Sequence, residues 1–311
     1  MEFLNAFFVA PFVDIFNYPI FFAEVVIAGV LTGVMYSLVA LGFVLIFKAS
    51  QVFNFAQGAM VLFAALSLVG LIETGLPIWL ALFLTVCIMI ALAFAIERLV
   101  LRPLINQAII TLFMATIGLT FFLEGLGEMV WGSNVKQLDL GIPDASFETG
   151  GILLNEFDLI AAGIGAVLVA GLAIFFQKTK IGLALRAVAD DPQAALSVGI
   201  SLKTIWIVVW SVAGIVALVA GIMWGAKSGV QFSLALIALK ALPVLILGGL
   251  TSVPGAIVGG LIIGVGEKVA EIYWGPALGG AIENWFAYML AMMFLLFRPQ
   301  GLFGERIIER V

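Results

Sequence analysis

The sequence predicts an all-α polytopic membrane protein with about eight or nine transmembrane helices, in which the shortest segments are able to turn back as re-entrant half-helices. Two observations carry that prediction. Hydrophobic residues make up 64% of the 311-residue chain and charged residues only 11%, with a mean hydropathy of +1.24. The polar surface needed to cover a soluble globule is missing, so lipid has to be the solvent. Apolar stretches of about 20 residues, the length that crosses a bilayer, recur along the whole sequence.

Residues 3–16 come first. Phe3, Leu4, Phe7, Phe8, Phe12, Val13 and Phe16 are interrupted by Pro11 and Asp14, a piece too short and too punctuated to span, which reads as amphipathic and interfacial. Apolar runs between charges and Gly/Pro breaks then give helices near 22–47, 55–72, 77–96, 107–131, 157–177, 204–226, 235–250, 254–274 and 281–297. Segment 55–72 is short and opens on the polar run Asn54, Gln57, Gly58, while segment 235–250 carries Lys240 and Pro243. These two are the half-helix candidates.

Orientation follows from the bases, because cytoplasmic loops are enriched in Lys and Arg. Arg98 and Arg102 share one loop, Lys178, Lys180, Arg186 and Lys203 another, and Arg298, Arg306 and Arg310 the C-terminus. Residues 132–158 set Lys136 against Asp139, Asp144, Glu148, Glu156 and Asp158, and residues 1–20 hold Glu2 and Asp14 with no base. The N-terminus is therefore expected outside and the C-terminus inside, which needs an odd number of crossings. The expected layout is a periplasmic interfacial extension over 1–20, a transmembrane domain over 21–298 with a cytoplasmic loop at 178–203, and a cytoplasmic tail over 299–311, in a bacterial cytoplasmic (inner) membrane.

Several chemistries are excluded. The first basic residue is Lys48, so the N-terminus does not read as a secretory signal. Histidine is absent and Cys87 is the single cysteine, which leaves no disulfide, no redox pair and no Cys/His metal site. No Gly-x-x-x-x-Gly-Lys-Ser/Thr occurs, so the chain has no phosphate-cradling loop for nucleotide. The net charge of −5 is spread along the chain and does not fit a nucleic-acid partner. No catalytic, cofactor-binding or metal-ligating residue is expected.

The polar residues inside apolar segments are the candidate sites, since burying an ionisable group in lipid is costly. Lys240 lies in mid-segment and requires a carboxylate, a carbonyl or water; it either lines a pathway or forms an interhelical ion pair. Glu124 with Glu128, and Glu267 with Glu271 beside Lys268, share helix faces near helix ends. Asn54 and Gln57 flank the start of a short helix, where they either line an aqueous route or satisfy broken backbone. The GxxxG pairs Gly29/Gly33, Gly221/Gly225, Gly255/Gly259 and Gly260/Gly264 let helix backbones touch and read as scaffold.

The loop from Lys178 contains a helix start, with Asp191 able to cap, Pro192 suited to the first turn and Gly199 able to end a helix of about two turns. Here Gln193-Ala194-Ala195-x-x-x-Gly199 resembles the Glu-Ala-Ala-x-x-x-Gly signature of ABC importer permeases, with Gln in place of Glu. Further stretches narrow the likeness: Tyr36 to Gly42 followed by Asn54-Phe-Ala-Gln57-Gly58, Glu97-Arg98 followed by Arg102-Pro103, Gly248 to Gly260, and Arg298 to Gly304. In that order they resemble the H-type permease of the Liv family, the branched-chain amino-acid ABC importers, from about residue 24 onward. Gln57 stands where that family usually has His.

The resemblance implies a short coupling helix, formed by Asp191, Pro192, Gln193, Ala194, Ala195 and Gly199, that sits in a groove of a cytoplasmic ATPase. It implies as partners a second homologous permease, two ATPase subunits that hydrolyse the ATP, and an extracytoplasmic substrate-binding protein, all around the lipid bilayer. Permeases for urea, short amides and other amino acids share the pattern, so the substrate stays open. A secondary transporter or channel would need no coupling helix and would gather carboxylates at mid-depth. A membrane enzyme would need a nucleophile or a metal cluster that this sequence lacks.

Overall fold

The computed structural model describes residues 2–104, 107–143 and 145–304; Asp144 of the acidic loop and Arg306 and Arg310 of the basic tail lie outside the described residues. Every apolar segment read from the sequence is a helix, because in lipid a helix satisfies its own backbone groups. The two N-terminal pieces are α1 (Glu2–Phe8) and α2 (Ala10–Asn17), followed by α3 (Pro19–Ser50), α4 (Gln57–Glu73), α5 (Ile78–Ala95) and α6 (Ile109–Trp131). After a hairpin come α7 (Glu156–Lys178), α8 (Lys180–Asp190), α9 (Pro192–Ser197), α10 (Leu202–Ser228), α11 (Ile237–Gly248), α12 (Val253–Tyr273), α13 (Gly275–Leu278) and α14 (Glu283–Phe297). Among the described residues six helices are long and apolar enough to cross a membrane, namely α3, α5 with its continuation to Leu104, α6, α7, α10 and α12. Three shorter apolar helices, Gln57–Glu73, Phe232–Gly248 and Glu283–Phe297, complete the set.

Four local features go beyond the sequence reading. Helix α5 runs on as a π-helical turn over Ile96–Leu101 and a 3-10 turn over Arg102–Leu104. Helix α11 is entered through a 3-10 turn, Phe232–Leu236, and keeps Pro243 inside it. The loop at 178–203 folds into two helices rather than one. The acidic loop carries a small antiparallel hairpin, β1 (Ser146–Thr149) and β2 (Ile152–Asn155), whose turn residues Gly150 and Gly151 have φ of +64° and +83°, a conformation that glycine reaches without steric cost.

By contacts the chain forms two compact units. One comprises the chain up to Ser37, Gly141–Val167 and the chain from Lys240 onward. Within it α3 and α12 cross at glycines: a β-carbon on Gly33 would lie 2.6 Å from the Gly260 oxygen, and one on Gly264 would lie 2.5 Å from Gly33 N and Cα. The last carbonyls of α11, which have no partner inside the helix, are answered by the C-terminal segment. Leu302 N–H donates to Leu247 O at 2.8 Å and Phe303 N–H to Gly248 O at 3.1 Å. Gly249 and Gly304 permit that approach, since a β-carbon on Gly249 would lie 2.8 Å from Gly304 N. At the start of the unit the Trp274 indole N–H donates to Phe7 O at 3.1 Å, and Phe12 meets the same indole edge to face. Helices α1 and α2 are thus tied to the end of α12, while Phe8, Phe12 and Phe16 stay exposed.

The other unit comprises Leu38–Leu140 and Leu168–Leu239. Its centre is α4, buried on every face from Gln57 to Gly70 and surrounded by α10, α5 and α6. Apolarity all round is what a fully enclosed helix requires. The Gly221 position of α10 admits Val61 O, which a β-carbon there would approach to 2.6 Å. At one end of this unit Lys136 pairs with Glu73, and its backbone exchanges two hydrogen bonds with Val230, at 3.0 and 2.8 Å. The lone base of the acidic loop is therefore neutralised locally.

Gly264→Val should cost about 1–3 kcal/mol through overpacking at the α3–α12 crossing, whereas Gly118→Ala, whose added β-carbon would meet nothing within 4 Å, should be neutral. Thermal unfolding in detergent, followed by tryptophan fluorescence, checks the contrast; equal midpoints for both variants would remove the glycine crossing from the account.

Candidate functional site

The helix pair α8–α9 is fixed by hydrogen bonds at each of its joints. Thr179 caps α8 by accepting from Gly182 N–H at 3.1 Å. The Arg186 guanidinium donates to Phe176 O at 2.6 Å, satisfying a terminal carbonyl of α7. Asp191 ends α8 in extended backbone (φ −152°, ψ 103°) and caps α9 with one carboxylate oxygen, which accepts from Gln193 N–H at 2.9 Å and Ala194 N–H at 3.0 Å. Pro192 holds the first helical position, where a missing N–H costs nothing. At the far end Gly199 takes φ +85°, with Gly199 N–H to Leu196 O and Ile200 N–H to Ala195 O both at 3.0 Å, the paired closure of a left-handed helix stop.

The faces of α9 sort its residues. Ala195 is only 3% exposed and packs into its own chain, so its small size serves internal packing. Leu196 and Val198 are 52% and 75% exposed, and Gln193, Ala194, Ser197 and Gly199 share that exposure. The large exposed apolar side chains of α9 and its C-cap are thus Leu196 and Val198, two residues outside the motif positions.

Asn54 and Gln57 are brought together and fully buried. The Asn54 amide accepts from Ala56 N–H at 3.1 Å and donates to Gln57 Oε1 at 3.3 Å, so Asn54 repairs the broken backbone before α4. Gln57 Nε2 is buried without a hydrogen-bond partner. Gly58 lets the 3-10 turn before α11 lie against α4, since a β-carbon there would lie 3.0 Å from the carbonyl carbon of Ala235.

Lys240 is ion-paired. Its ammonium donates to Glu267 Oε1 at 2.9 Å, and the same oxygen accepts from the Tyr36 hydroxyl at 3.0 Å. Glu283 lies 3.6 Å from Lys240 and 3.5 Å from Lys268. Glu267 is 1% exposed while Lys240, Lys268 and Glu283 are 25–34% exposed by side chain. Glu271 turns away from this group and caps the start of α14, accepting from Ala281 and Glu283 N–H at 2.9 and 3.0 Å. A second deeply buried acid, Glu97, is held by Arg102 in a two-pronged pair at 3.2 and 2.9 Å; the π turn is what brings residues five apart onto one face. Tyr36 as a partner of Glu267 and Glu283 as a neighbour of Lys240 had no signal in the sequence, because each pair lies on different helices far apart in the chain. Among the described residues no three His, Cys, Asp or Glu are placed to hold a metal.

With this geometry in view, the chain compares with known proteins as follows. Residues 25–297 match the family model described as branched-chain amino acid transport system, permease component. The chain is 26% identical to the high-affinity branched-chain amino acid transport system permease protein BraD of Pseudomonas aeruginosa, over 93% of this chain and 98% of that one. It is 27% identical to LivH of Escherichia coli K12, over 94% and 98%, and 29% identical to a probable LivH of Methanocaldococcus jannaschii, over 86% and 88%.

Asp191→Ala removes both cap bonds of α9 and should cost about 1 kcal/mol locally, while Asp191→Asn keeps most of the cap. Hydrogen exchange of amides 193–199 should speed up severalfold in the alanine variant alone; equal exchange in both variants would show that the cap does not hold this helix.

Proposed function

The chain belongs to the family of branched-chain amino acid transport permease components, and on that premise we propose that it forms one transmembrane half of an ATP-driven importer for branched-chain or related amino acids. It is a multi-pass protein of the bacterial cytoplasmic (inner) membrane. The chain contains no phosphate-cradling loop of its own, so ATP hydrolysis is assigned to two partner ATPase subunits. A second homologous permease supplies the other half of the pathway, and an extracytoplasmic binding protein delivers the substrate.

The observation that carries this reading is α9: a short helix capped at both ends, held rigidly on α8, with Leu196 and Val198 exposed in a segment rich in bases. A soluble partner with an apolar groove is what such a surface suits. Movement of α9 has a direct route into the membrane. Ile200 and Ser201 connect it to α10, whose Trp206 indole N–H bonds to Ala49 O at 3.2 Å at the end of α3. Helix α10 then packs on α4 and α5, so a displacement by the ATPase reaches the centre of that unit through rigid elements. In this reading Asp191, Pro192, Gly199 and the buried Ala195 shape the coupling helix, and Gln193, Ala194, Leu196 and Val198 touch the partner. Asn54, Gln57 and Lys240 are the proposed pathway residues. The ligand held by the cognate binding protein decides among branched-chain amino acids, other amino acids, urea and short amides.

Two experiments test the reading. In a Cys87→Ser background, Asp190→Cys should resist a membrane-impermeant maleimide applied to intact spheroplasts and react after permeabilisation; labelling from outside would overturn the orientation. In the reconstituted complex, Leu196→Asp and Val198→Asp should each lower ATP-driven uptake by about tenfold or more, as expected when a charge enters an apolar contact, with folding and insertion unchanged. Full uptake in both variants would refute docking through α9.

A further inference from the structure

The Lys240 cluster has a property that a purely structural ion pair does not need. Its floor is tight: Tyr36 and Lys240 both donate to Glu267 Oε1, at 3.0 and 2.9 Å. The second oxygen, Glu267 Oε2, is buried with no hydrogen-bond partner. An orphaned carboxylate oxygen in a nonaqueous setting is expensive to keep. The rim is loose by contrast. Glu283 stands 3.6 Å from Lys240 and 3.5 Å from Lys268, beyond the 2.7–3.2 Å range of an N–H···O bond, so both ammonium groups retain donor capacity. Tyr36, Lys240, Glu267, Lys268 and Glu283 all belong to one compact unit. The two acids and two bases among them cancel in charge.

We propose that this cluster is the subsite for the charged end of a zwitterionic amino acid in transit, with Glu267 Oε2 accepting from the α-ammonium and Lys240 and Lys268 donating to the α-carboxylate. A zwitterion entering a neutral array of two acids and two bases adds no net charge to the membrane interior, and each of its ends meets a group with unused bonding capacity. Lys240 sits just after the 3-10 turn that opens α11, and an interrupted helix is where transporters place such groups. The rim residues Lys268 and Glu283 lie at the end of α12 and the start of α14, the ends that face outward in the orientation given above, on the side where a binding protein delivers. Opening of the rim pairs exposes Oε2 to the ligand. The inference rests on the importer reading of the preceding subsection.

The test uses the full reconstituted complex with its binding protein, after the ligand carried by that protein has been identified by mass spectrometry. A branched-chain amino acid as ligand, together with ATP-driven uptake by the unmodified complex, upholds the importer reading; an uncharged ligand such as urea or a short amide overturns both the substrate assignment and the subsite. With an amino-acid ligand, Glu267→Gln should assemble, because Tyr36 and Lys240 still have an oxygen to bond, and should lower uptake by about tenfold or more. Lys268→Met, at the exposed rim, should raise the half-saturating concentration of loaded binding protein or lower uptake without affecting assembly. The charge exchange Lys240→Glu with Glu267→Lys restores an ion pair but reverses the polarity offered to the zwitterion, so assembly should recover and uptake should not. Uptake in the exchanged variant within about twofold of the original would show a structural pair and overturn the proposal, as would unchanged transport in Lys268→Met.

Discussion

Lipid offers a polar group no alternative partner, and most of what distinguishes this chain from a bare bundle of apolar rods follows from that constraint. Each interruption of a helix exposes backbone groups that water would otherwise satisfy, and the chain answers them from within. The C-terminal carbonyls of α11 receive the amides of Leu302 and Phe303. Phe176 O receives Arg186, the start of α14 receives Glu271, and the break before α4 is closed by Asn54. The motifs that looked like family signatures are in large part these repairs: the Gly248–Gly260 stretch and the Arg298–Gly304 stretch are two halves of one helix-end contact.

How much of this was legible depends on the range of the interaction. The nine apolar segments were readable because a crossing needs about 20 residues of one character, a signal contained within each segment. The cap at Asp191 and the stop at Gly199 were readable for the same reason, since N- and C-terminal helix signals lie within three residues of the end they define. The facing of α9 was not: Ala195 turns inward and Leu196 and Val198 outward, a choice made by packing on α8. The hairpin at 146–155 had only Gly150-Gly151 to announce it. The partner of Lys240 was open in the sequence, and the structure assigns it to Glu267, a residue recognised as polar but placed with Glu271 by helix spacing. Those two acids do different work, one buried against Tyr36 and Lys240, the other capping α14, which spacing alone could not separate.

The same constraint shapes function. A membrane interior tolerates an ion only with its partner, and Lys240 and Glu267 form such a pair. Charge in such a place is kept where it carries a task. In the proposed coupling role the demand on α9 is the opposite: it offers apolar surface for a partner to cover, on a backbone closed at both ends and a base fixed by α8. Rigidity at α9 and a repaired break at α4 lie along one continuous series of contacts through α10, which is what the proposed coupling to an ATPase requires.

The most direct measurement is uptake of the binding protein's ligand into proteoliposomes holding this chain, its homologous partner permease and the ATPase subunits. The account predicts accumulation that depends on ATP inside the vesicle compartment facing α9, on the binding protein at the opposite face, and on the presence of this chain. Accumulation that persists without the ATPase subunits and follows an imposed proton or sodium gradient would contradict it and place the chain among secondary transporters.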